Sequence, residues 1–163
     1  CLATGKIMPD FEARALDGVT VRASDLRGHP ALFMFYRGNW CPFCMAQVRE
    51  ITDRYRELAQ RGVTIALISP QPTELTQRVA GIFDVPVKFW VDPDLKAANT
   101  LGITSEYGVP AGGMANTYGK HTVMPTVVIV DAEGRILYTD QTDNYRVRPE
   151  PDVFFRVLAA NGL

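Results

Sequence analysis

Two cysteines, Cys41 and Cys44, stand three positions apart and are the residues of this chain best suited to redox chemistry. Just before them, residues 31–36 are apolar and rich in aromatics, which predicts a buried strand. After them, apolar residues recur at three- and four-residue steps, which predicts one amphipathic helix that ends at Gly62. The cysteines therefore open a helix that follows a central strand.

This position favours the anionic form of a thiol. The first turn of a helix has unpaired backbone N–H groups and partial positive charge, so we expect a thiol pKa below its ordinary value. Pro42 suits the first helical position, because its missing N–H is not needed there and its φ is already helical. Cys41 would then be the cap, with Cys44 about one turn inside on the same face. Two sulfurs that are close together and reachable by solvent can close a disulfide and reopen it.

Two other interpretations of the cysteine pair stay open. The cysteines could be buried structural residues, or they could supply half of a zinc site. His29 and His121 would complete a four-ligand set, although only the cysteines have the spacing of metal ligands. We favour the redox pair over a metal site, because the pair lies between a strand and a helix.

The composition limits the class of protein. The 163 residues suit a single domain, 1–163. Lys and Arg number 17 against 18 Asp and Glu, so the charge favours neither nucleic acid nor an anionic membrane as partner. The apolar runs are too short for a membrane span, and three cysteines are too few for a disulfide framework. We expect a cytoplasmic location, with export or a lipid anchor through Cys1 as the alternative.

The remaining patterns alternate strands with helices and predict an α/β fold. Residues 63–69 and 127–131 are β-branched and almost free of polar residues, as buried strands are. The first of these strands follows the long helix, so strand, helix and strand form a right-handed crossover. The dipeptide Asp17-Gly18 predicts a hairpin near the start of the chain.

Two later stretches are less regular. Asp94 precedes a modest helix that is expected to end at Gly102. Between Ile103 and Val123 the periodicity is lost and glycines accumulate, which predicts a long loop. A final helix is expected after Pro151.

The order of these elements resembles the thioredoxin fold. Short motifs are similar to those of the alkyl hydroperoxide reductase and thiol-specific antioxidant (AhpC/TSA) family, and more closely to its bacterial peroxiredoxin-like branch. In chain order the motifs are Pro9-Asp10-Phe11, Asp17-Gly18, Leu26-Arg27-Gly28, Phe35-Tyr36-Arg37-Gly38, Trp40-Cys41-Pro42-Phe43-Cys44, Ile68-Ser69-Pro70-Gln71-Pro72, Met124-Pro125-Thr126 and Tyr145-Arg146-Val147-Arg148-Pro149-Glu150-Pro151. The resemblance implies a thioredoxin-like fold, with a central mixed β-sheet flanked by helices and an N-terminal β-hairpin extension.

The resemblance also implies the chemistry, in two versions. In thioredoxins the first cysteine of the pair attacks and the second resolves, which would make Cys41 the nucleophile. In peroxiredoxins the cysteine that ends a Thr/Ser-Pro-any-Cys pattern is peroxidatic; here that residue is Cys44, and Cys41 takes the threonine position. Both versions imply a thiol-based oxidoreductase that reduces peroxides or substrate disulfides through a Cys41–Cys44 dithiol and disulfide. Which cysteine attacks first stays open.

Supporting residues follow from the same resemblance. Peroxiredoxins place an arginine at the position of Pro125, so Arg37 or Arg148 would have to substitute for it. Pro125 instead resembles the cis-proline of thioredoxins, which faces the cysteine pair and helps to hold substrate backbone. Trp40 would shield the pair and offer an apolar surface to a partner. The supporting set is Arg37, Trp40, Pro42, Met124, Pro125, Thr126 and Arg148.

The resemblance implies no metal, flavin or nucleotide cofactor, but it does imply an external reductant. The expected partners are a thiol reductant of the thioredoxin or glutathione type and a peroxide or disulfide substrate, with a homodimer as one option. One alternative is a protein thiol-disulfide oxidoreductase without peroxidase activity. Another, from a different class, is a zinc-binding or redox-inactive interaction module.

Overall fold

The computed structural model describes residues 2–105, 122–141, 149 and 151–163. Cys1, His121 and Arg148 lie outside these residues, as do most of the predicted loop after Ile103 and most of the Tyr145–Pro151 motif. The described strands are β1 Glu12–Ala15, β2 Thr20–Arg22, β3 Ala31–Phe35, β4 Thr64–Ser69, β5 Lys88–Val91, β6 Thr104–Ser105, β7 Thr122–Val123, β8 Thr126–Val130 and β9 Ile136–Gln141. The described α-helices are α1 Pro42–Asp53, α2 Tyr55–Gln60, α3 Thr73–Ile82, α4 Lys96–Leu101 and α5 Pro151–Ala160.

Seven of the described strands form one mixed sheet, in the order β2-β1-β5-β4-β3-β8-β9. Strands β3, β4 and β5 run parallel, which requires the crossovers that α1, α2 and α3 supply. Strand β8 lies antiparallel to β3 and continues into β9, and the β1–β2 hairpin adds to β5 at the other side. The predicted mixed sheet and N-terminal hairpin extension are confirmed. In the described ranges, no helix combines the length and the apolar character that crossing a bilayer requires.

Strand β3 is buried along its whole length, and its side chains alternate between the two faces of the sheet. One face, which we call the aromatic face, holds rings whose centroids lie 5.6–6.5 Å apart, mostly edge to face. These rings are Phe11, Phe33, Phe35 and Trp90. The other face, which we call the thiol face, packs against α1, α3 and α5 and contains both cysteines. The cysteine pair therefore lies over an apolar layer at the carboxyl end of β3.

The helix after the cysteines is broken where the sequence pattern predicts one helix. Arg54 separates α1 from α2, and its N–H bonds to the carbonyl of Ile51, a tighter turn than the α-helical one. The Thr52 hydroxyl donates to the carbonyl of Arg49, and such bonds within a helix bend it. The prediction of a single helix is wrong for this reason, although Gly62, with a φ of 76°, does follow the last turn.

Helix α4 begins after Asp94 and ends at Leu101, with Gly102 following it at a φ of 72°, as predicted. The Asp92 carboxylate holds the first turn of this helix, because it accepts the N–H groups of Ala97 at 3.1 Å and Ala98 at 3.0 Å. Burial raises the pKa of the Asp92 carboxyl by more than these donors lower it. The residue that holds this turn is thus a buried carboxyl that lies before the helix in the chain.

Candidate active site

Cys41 is the N-cap of α1 and Pro42 is the first helical residue, as predicted. The Cys41 Sγ accepts a hydrogen bond from the backbone N–H of Cys44, at a donor–acceptor distance of 3.3 Å. This bond uses one of the N–H groups that a helix leaves unpaired at its start. Negative charge on the Cys41 sulfur is therefore stabilised by the helix that it caps.

Cys44 lies in the first turn of α1, and its sulfur is contacted by a different segment. The backbone N–H of Arg37, in the loop between β3 and α1, donates to the Cys44 Sγ at 3.4 Å. The two sulfurs are not joined by a disulfide in this structure. Each sulfur thus receives a backbone N–H, one from the helix and one from the preceding loop.

Both thiols are buried. Cys41 is 2% exposed and Cys44 is fully inaccessible, within an apolar cluster that Trp40 partly covers. The expectation that solvent reaches the sulfurs is wrong for this conformation, because the chain packs the first turn of α1 against the sheet. A reactant must reach the sulfurs through a local movement, and a small reactant needs the smaller movement.

The loop between β3 and α1 is held from two sides. From β7, the Thr122 hydroxyl donates to the carbonyl of Arg37 at 3.1 Å. From the connection between β4 and α3, the Gln71 Oε1 accepts the N–H of Asn39 at 2.8 Å. Gly38 lies between these two contacts. Residues 37–39 are therefore held at both ends, and the N–H of the first of them donates to Cys44.

Trp40 folds back over this loop. A Cβ at position 38 would lie 2.5 Å from the Trp40 Nε1, so only glycine leaves room for the indole. The Arg37 guanidinium lies over the indole ring, 4.6 Å from its centroid, in a cation–π contact. The structure therefore brings Arg37, Trp40 and Pro42 together with the cysteines.

The segment Met124–Thr126 lies at the same end of the sheet, because Thr126 pairs with Phe35 across β8 and β3. The Met124–Pro125 bond is trans, as are the other described peptide bonds, so the prediction of a cis-proline is wrong. The Thr126 hydroxyl donates to the Met124 carbonyl at 2.8 Å, which fixes the backbone on both sides of Pro125. An X–Pro bond is also more stable in the trans form by about 0.5–1 kcal/mol.

Sequence reasoning included Tyr36 and Gln71 in family motifs but assigned no role to these two buried polar residues near the cysteines. Burial is the main cause that raises the pKa of Tyr36, and negative charge on Cys44 is the second. The Tyr36 hydroxyl is therefore neutral at physiological pH. This hydroxyl faces those of Ser69 and Thr76. The sequence offered two signals, a tyrosine at the end of an apolar strand and a glutamine between two prolines. Neither signal identifies the residues that these side chains contact.

The zinc alternative gains no support from the described residues. His29 is exposed and precedes β3, whereas the cysteines follow the far end of that strand, roughly 16 Å away by strand length. Outside the undescribed stretches, no group of three or more Cys, His, Asp or Glu residues is placed to hold a metal ion. His121, the other histidine of the postulated set, lies outside the described residues.

Known proteins similar to this chain include two curated sequences and one crystal structure. Chloroplastic peroxiredoxin Q of Triticum aestivum is 24% identical over 137 residues, which are 84% of this chain and 58% of that protein. The thiol-disulfide oxidoreductase ResA of Oceanobacillus iheyensis is 35% identical over 75 residues, 44% of this chain and 38% of that protein. The crystal structure of peroxidoxin BcpB from Mycobacterium tuberculosis has a TM-score of 0.80 at 20% identity and covers 98% of both chains, which confirms the thioredoxin-like fold.

The chain thus spans less than two thirds of the length of these two curated relatives. A profile of the AhpC/TSA family matches residues 4–139, a stretch that includes both cysteines and the loop that contacts them. Because this match covers most of the chain, the protein belongs to the AhpC/TSA family, as the resemblance of its motifs predicted.

Proposed function

We propose that this protein is a thiol-dependent oxidoreductase that reduces small peroxides, with Cys44 as the attacking residue and Cys41 as the resolving residue. The observation that carries the proposal is the placement of both sulfurs at the first turn of α1, where each accepts a backbone N–H. Such donors favour thiolates, and the thiolate is the nucleophile in this chemistry. Membership of the AhpC/TSA family and the likeness to peroxiredoxin Q support a peroxide as substrate.

The reaction has two steps on the protein. The Cys44 thiolate attacks one peroxide oxygen; an S–O bond forms, the O–O bond breaks, and the leaving oxygen takes a proton and departs as alcohol or water. Cys44 is then a sulfenic acid, oxidised by two electrons. The Cys41 thiolate attacks the Cys44 sulfur, the S–S bond forms, the S–O bond breaks, and the hydroxide leaves as water after taking a second proton.

The surroundings of the pair favour a peroxide over a protein disulfide. Cys44 is completely buried, so a molecule of two or three heavy atoms reaches it with less movement than a polypeptide does. The trans bond before Pro125 does not reproduce the cis-proline that was expected to hold substrate backbone. The Arg37 charge beside the loop is the described candidate for the arginine that Pro125 replaces, and Arg148 remains a prediction.

An external thiol reductant, either one dithiol or two monothiol molecules, must complete the cycle. Two thiol–disulfide exchanges transfer two electrons and two protons from the reductant to the Cys41–Cys44 disulfide. We propose a thioredoxin- or glutathione-type donor, the class expected from the family resemblance. A homodimer and a cytoplasmic location also remain predictions, to be measured by light scattering and by cell fractionation against the alternative of a Cys1 anchor.

Single-cysteine variants test the order of attack. In a Cys1→Ser background, Cys41→Ser should consume one equivalent of hydrogen peroxide per chain and stop at a trapped sulfenic acid. Cys44→Ser should lose the rapid reaction, a decrease of about 10³-fold or more, because the nucleophile is gone. Stopped-flow peroxide consumption and dimedone labelling with intact-mass detection provide the readout. Rapid consumption by Cys44→Ser but not by Cys41→Ser would contradict the assignment.

The second candidate function is protein disulfide reduction, which the likeness to ResA favours. In that case Cys41 attacks a substrate disulfide and Cys44 releases the product. The reduced wild-type protein would then reduce a disulfide-bonded peptide quickly and peroxide slowly, and Cys41→Ser would lose the peptide reaction. The zinc alternative is decided separately by metal analysis of the purified protein, since stoichiometric zinc held by both sulfurs would rule out a redox pair.

A further inference from the structure

Gln71 is a buried amide in the connection between β4 and α3, with no exposed surface. Its Oε1 accepts the N–H of Asn39 at 2.8 Å, and its Nε2 donates to the Thr76 hydroxyl at 3.4 Å. Its own backbone N–H donates to the Ser69 hydroxyl at 3.3 Å. Thr76 in turn donates to the carbonyl of Pro72 at 3.3 Å. The amide is therefore oriented by β4 and α3, and its acceptor atom is directed at the loop before the cysteines.

Only a short stretch of backbone separates this contact from the one that the loop makes with Cys44. Asn39 is two residues after Arg37, whose N–H donates to the Cys44 sulfur. The intervening Gly38 allows a close approach, because a Cβ there would lie 3.2 Å from the Gln71 Oε1 and closer still to Trp40. Two residues of backbone therefore link the N–H that Gln71 holds to the N–H that contacts the Cys44 sulfur.

We propose that Gln71 is a positioning residue for Cys44, holding the loop so that the Arg37 N–H stays directed at the Cys44 sulfur. The inference rests on the proposed function only in taking Cys44 as a reacting thiol. Gln71 acts through Asn39 and the loop backbone.

An amide is suited to this role for a chemical reason. An aliphatic side chain would leave the Asn39 N–H without its acceptor, and a buried N–H without a partner is unfavourable. A carboxylate would still accept this N–H but could not donate to Thr76, and it would add negative charge near the thiolate. Gln71 supplies both an acceptor and a donor without a charge.

The test compares Gln71→Met with Gln77→Met in the full-length reduced protein. Both variants make the same change, but Gln77 is exposed on α3. Iodoacetamide labelling of Cys44, resolved from the other cysteines by peptide mass spectrometry, is measured against pH. In Gln71→Met the pH midpoint of Cys44 labelling should rise by about one unit, with labelling about fivefold to tenfold slower at neutral pH, because the sulfur loses a directed N–H. Gln77→Met should match the wild type.

The groups that bear on this pH profile are Cys41 on α1, Tyr36 at the end of β3 and Arg37 in the loop. Neither Gln→Met variant changes any of them. A Gln71→Met protein with lower stability but an unchanged labelling midpoint would overturn the proposal, because it would show a purely structural role.

A second pair of variants covers the case in which Gln71→Met does not fold. Thr76→Val removes the hydroxyl that orients the amide and should move the midpoint upward by a smaller amount, whereas Thr76→Ser keeps the hydroxyl and should restore the wild-type profile. Equal profiles for Thr76→Val and Thr76→Ser would contradict the proposal. Labelling uses neither peroxide nor a disulfide substrate. A wild-type protein that is inactive on both substrates would therefore refute the proposed function, but the labelling of the Gln71 and Thr76 variants would still test the role of Gln71.

Discussion

The two faces of the central sheet are built from the same strand but differ in composition. On the aromatic face, β3 contributes Phe33 and Phe35 to a set of rings that contact one another edge to face. On the thiol face, the same strand leads into Tyr36, the two cysteines and the buried amide of Gln71. One face gains stability from apolar burial, while the other buries groups that need partners and can react.

This division predicts which substitutions should change the stability of the protein and which should change the reactivity of the thiols. A substitution in the aromatic cluster removes packing without touching a hydrogen bond to sulfur. A substitution near the loop at residues 37–39 alters the donors at Cys44 even when little apolar area is lost. The following predictions test whether the two effects separate in this way.

The largest expected effect is on stability, from Phe33→Ala. The fully buried ring contacts Phe11 and Trp90, and its removal leaves a cavity on the aromatic face of the sheet. The free energy of unfolding should fall by about 3–5 kcal/mol in urea titrations. The pH midpoint of Cys44 labelling in the folded variant should stay at the wild-type value.

The control for this variant is Ile82→Ala, whose side chain is 67% exposed. Its free energy of unfolding should lie within about 0.5 kcal/mol of the wild type. A shift of the labelling midpoint in Phe33→Ala would show that the two faces are coupled and would contradict the division.

An intermediate effect is expected from Gly38→Ala on the thiol face. The new Cβ would lie 2.5 Å from the Trp40 Nε1 and 2.9 Å from its Cδ1, so the indole must shift. We expect a loss of about 1–3 kcal/mol in the free energy of unfolding, together with a changed rate of Cys44 labelling. Urea titration and labelling kinetics measure the two quantities.

Gly81→Ala is the matched substitution for Gly38→Ala. Gly81 lies in α3, and a Cβ there would meet no atom within 4 Å. This variant should gain about 0.5–1 kcal/mol, because alanine favours the helix, and its labelling kinetics should be unchanged. If Gly38→Ala behaved in the same way, the close approach of Trp40 would have no energetic consequence.

The smallest effect concerns pH and belongs to Asp92, which holds the helix α4 on the aromatic face. Burial raises the pKa of Asp92 in the folded protein above the ordinary value of 3.8, so the folded state binds this proton more tightly than the unfolded state. The contribution of Asp92 to stability is therefore greatest below pH 3.8 and falls as pH rises through the raised pKa.

Urea titrations at several pH values measure this contribution as the difference between the wild type and Asp92→Asn. The difference in the free energy of unfolding should decrease with rising pH in the window just above 3.8. A difference that grew with pH in this window would mean that the N–H donors of α4 outweigh the burial of the carboxyl.

Local sequence signals predicted the framework of the site. The apolar segment before the cysteines, Pro42 and the helical period after it were enough to place Cys41 at the cap of α1. The hairpins and the order of strands and helices were equally clear, because turn dipeptides and apolar periodicity are local properties.

The features that could not be predicted depend on contacts between distant segments. The Gln71–Asn39 bond joins residues 32 positions apart, and the Thr122–Arg37 bond joins residues 85 apart. The resemblance to thioredoxins predicted a cis-proline at Pro125, but the isomer depends on how neighbouring strands hold that backbone. The burial of the thiols likewise depends on the packing of α1 on the sheet, which periodicity does not determine.

The cap position of Cys41 has a consequence for recycling. Its carbonyl accepts the N–H of Met45 and its own N–H donates to the carbonyl of Gly38, so the backbone around this sulfur belongs to an ordered turn. Under the proposed function, a bulky electron donor would touch the oxidised pair only after this turn frays, whereas a small oxidant would need far less clearance. We therefore expect regeneration, rather than oxidation, to limit the steady-state rate, and dilute urea should accelerate turnover before it unfolds the protein.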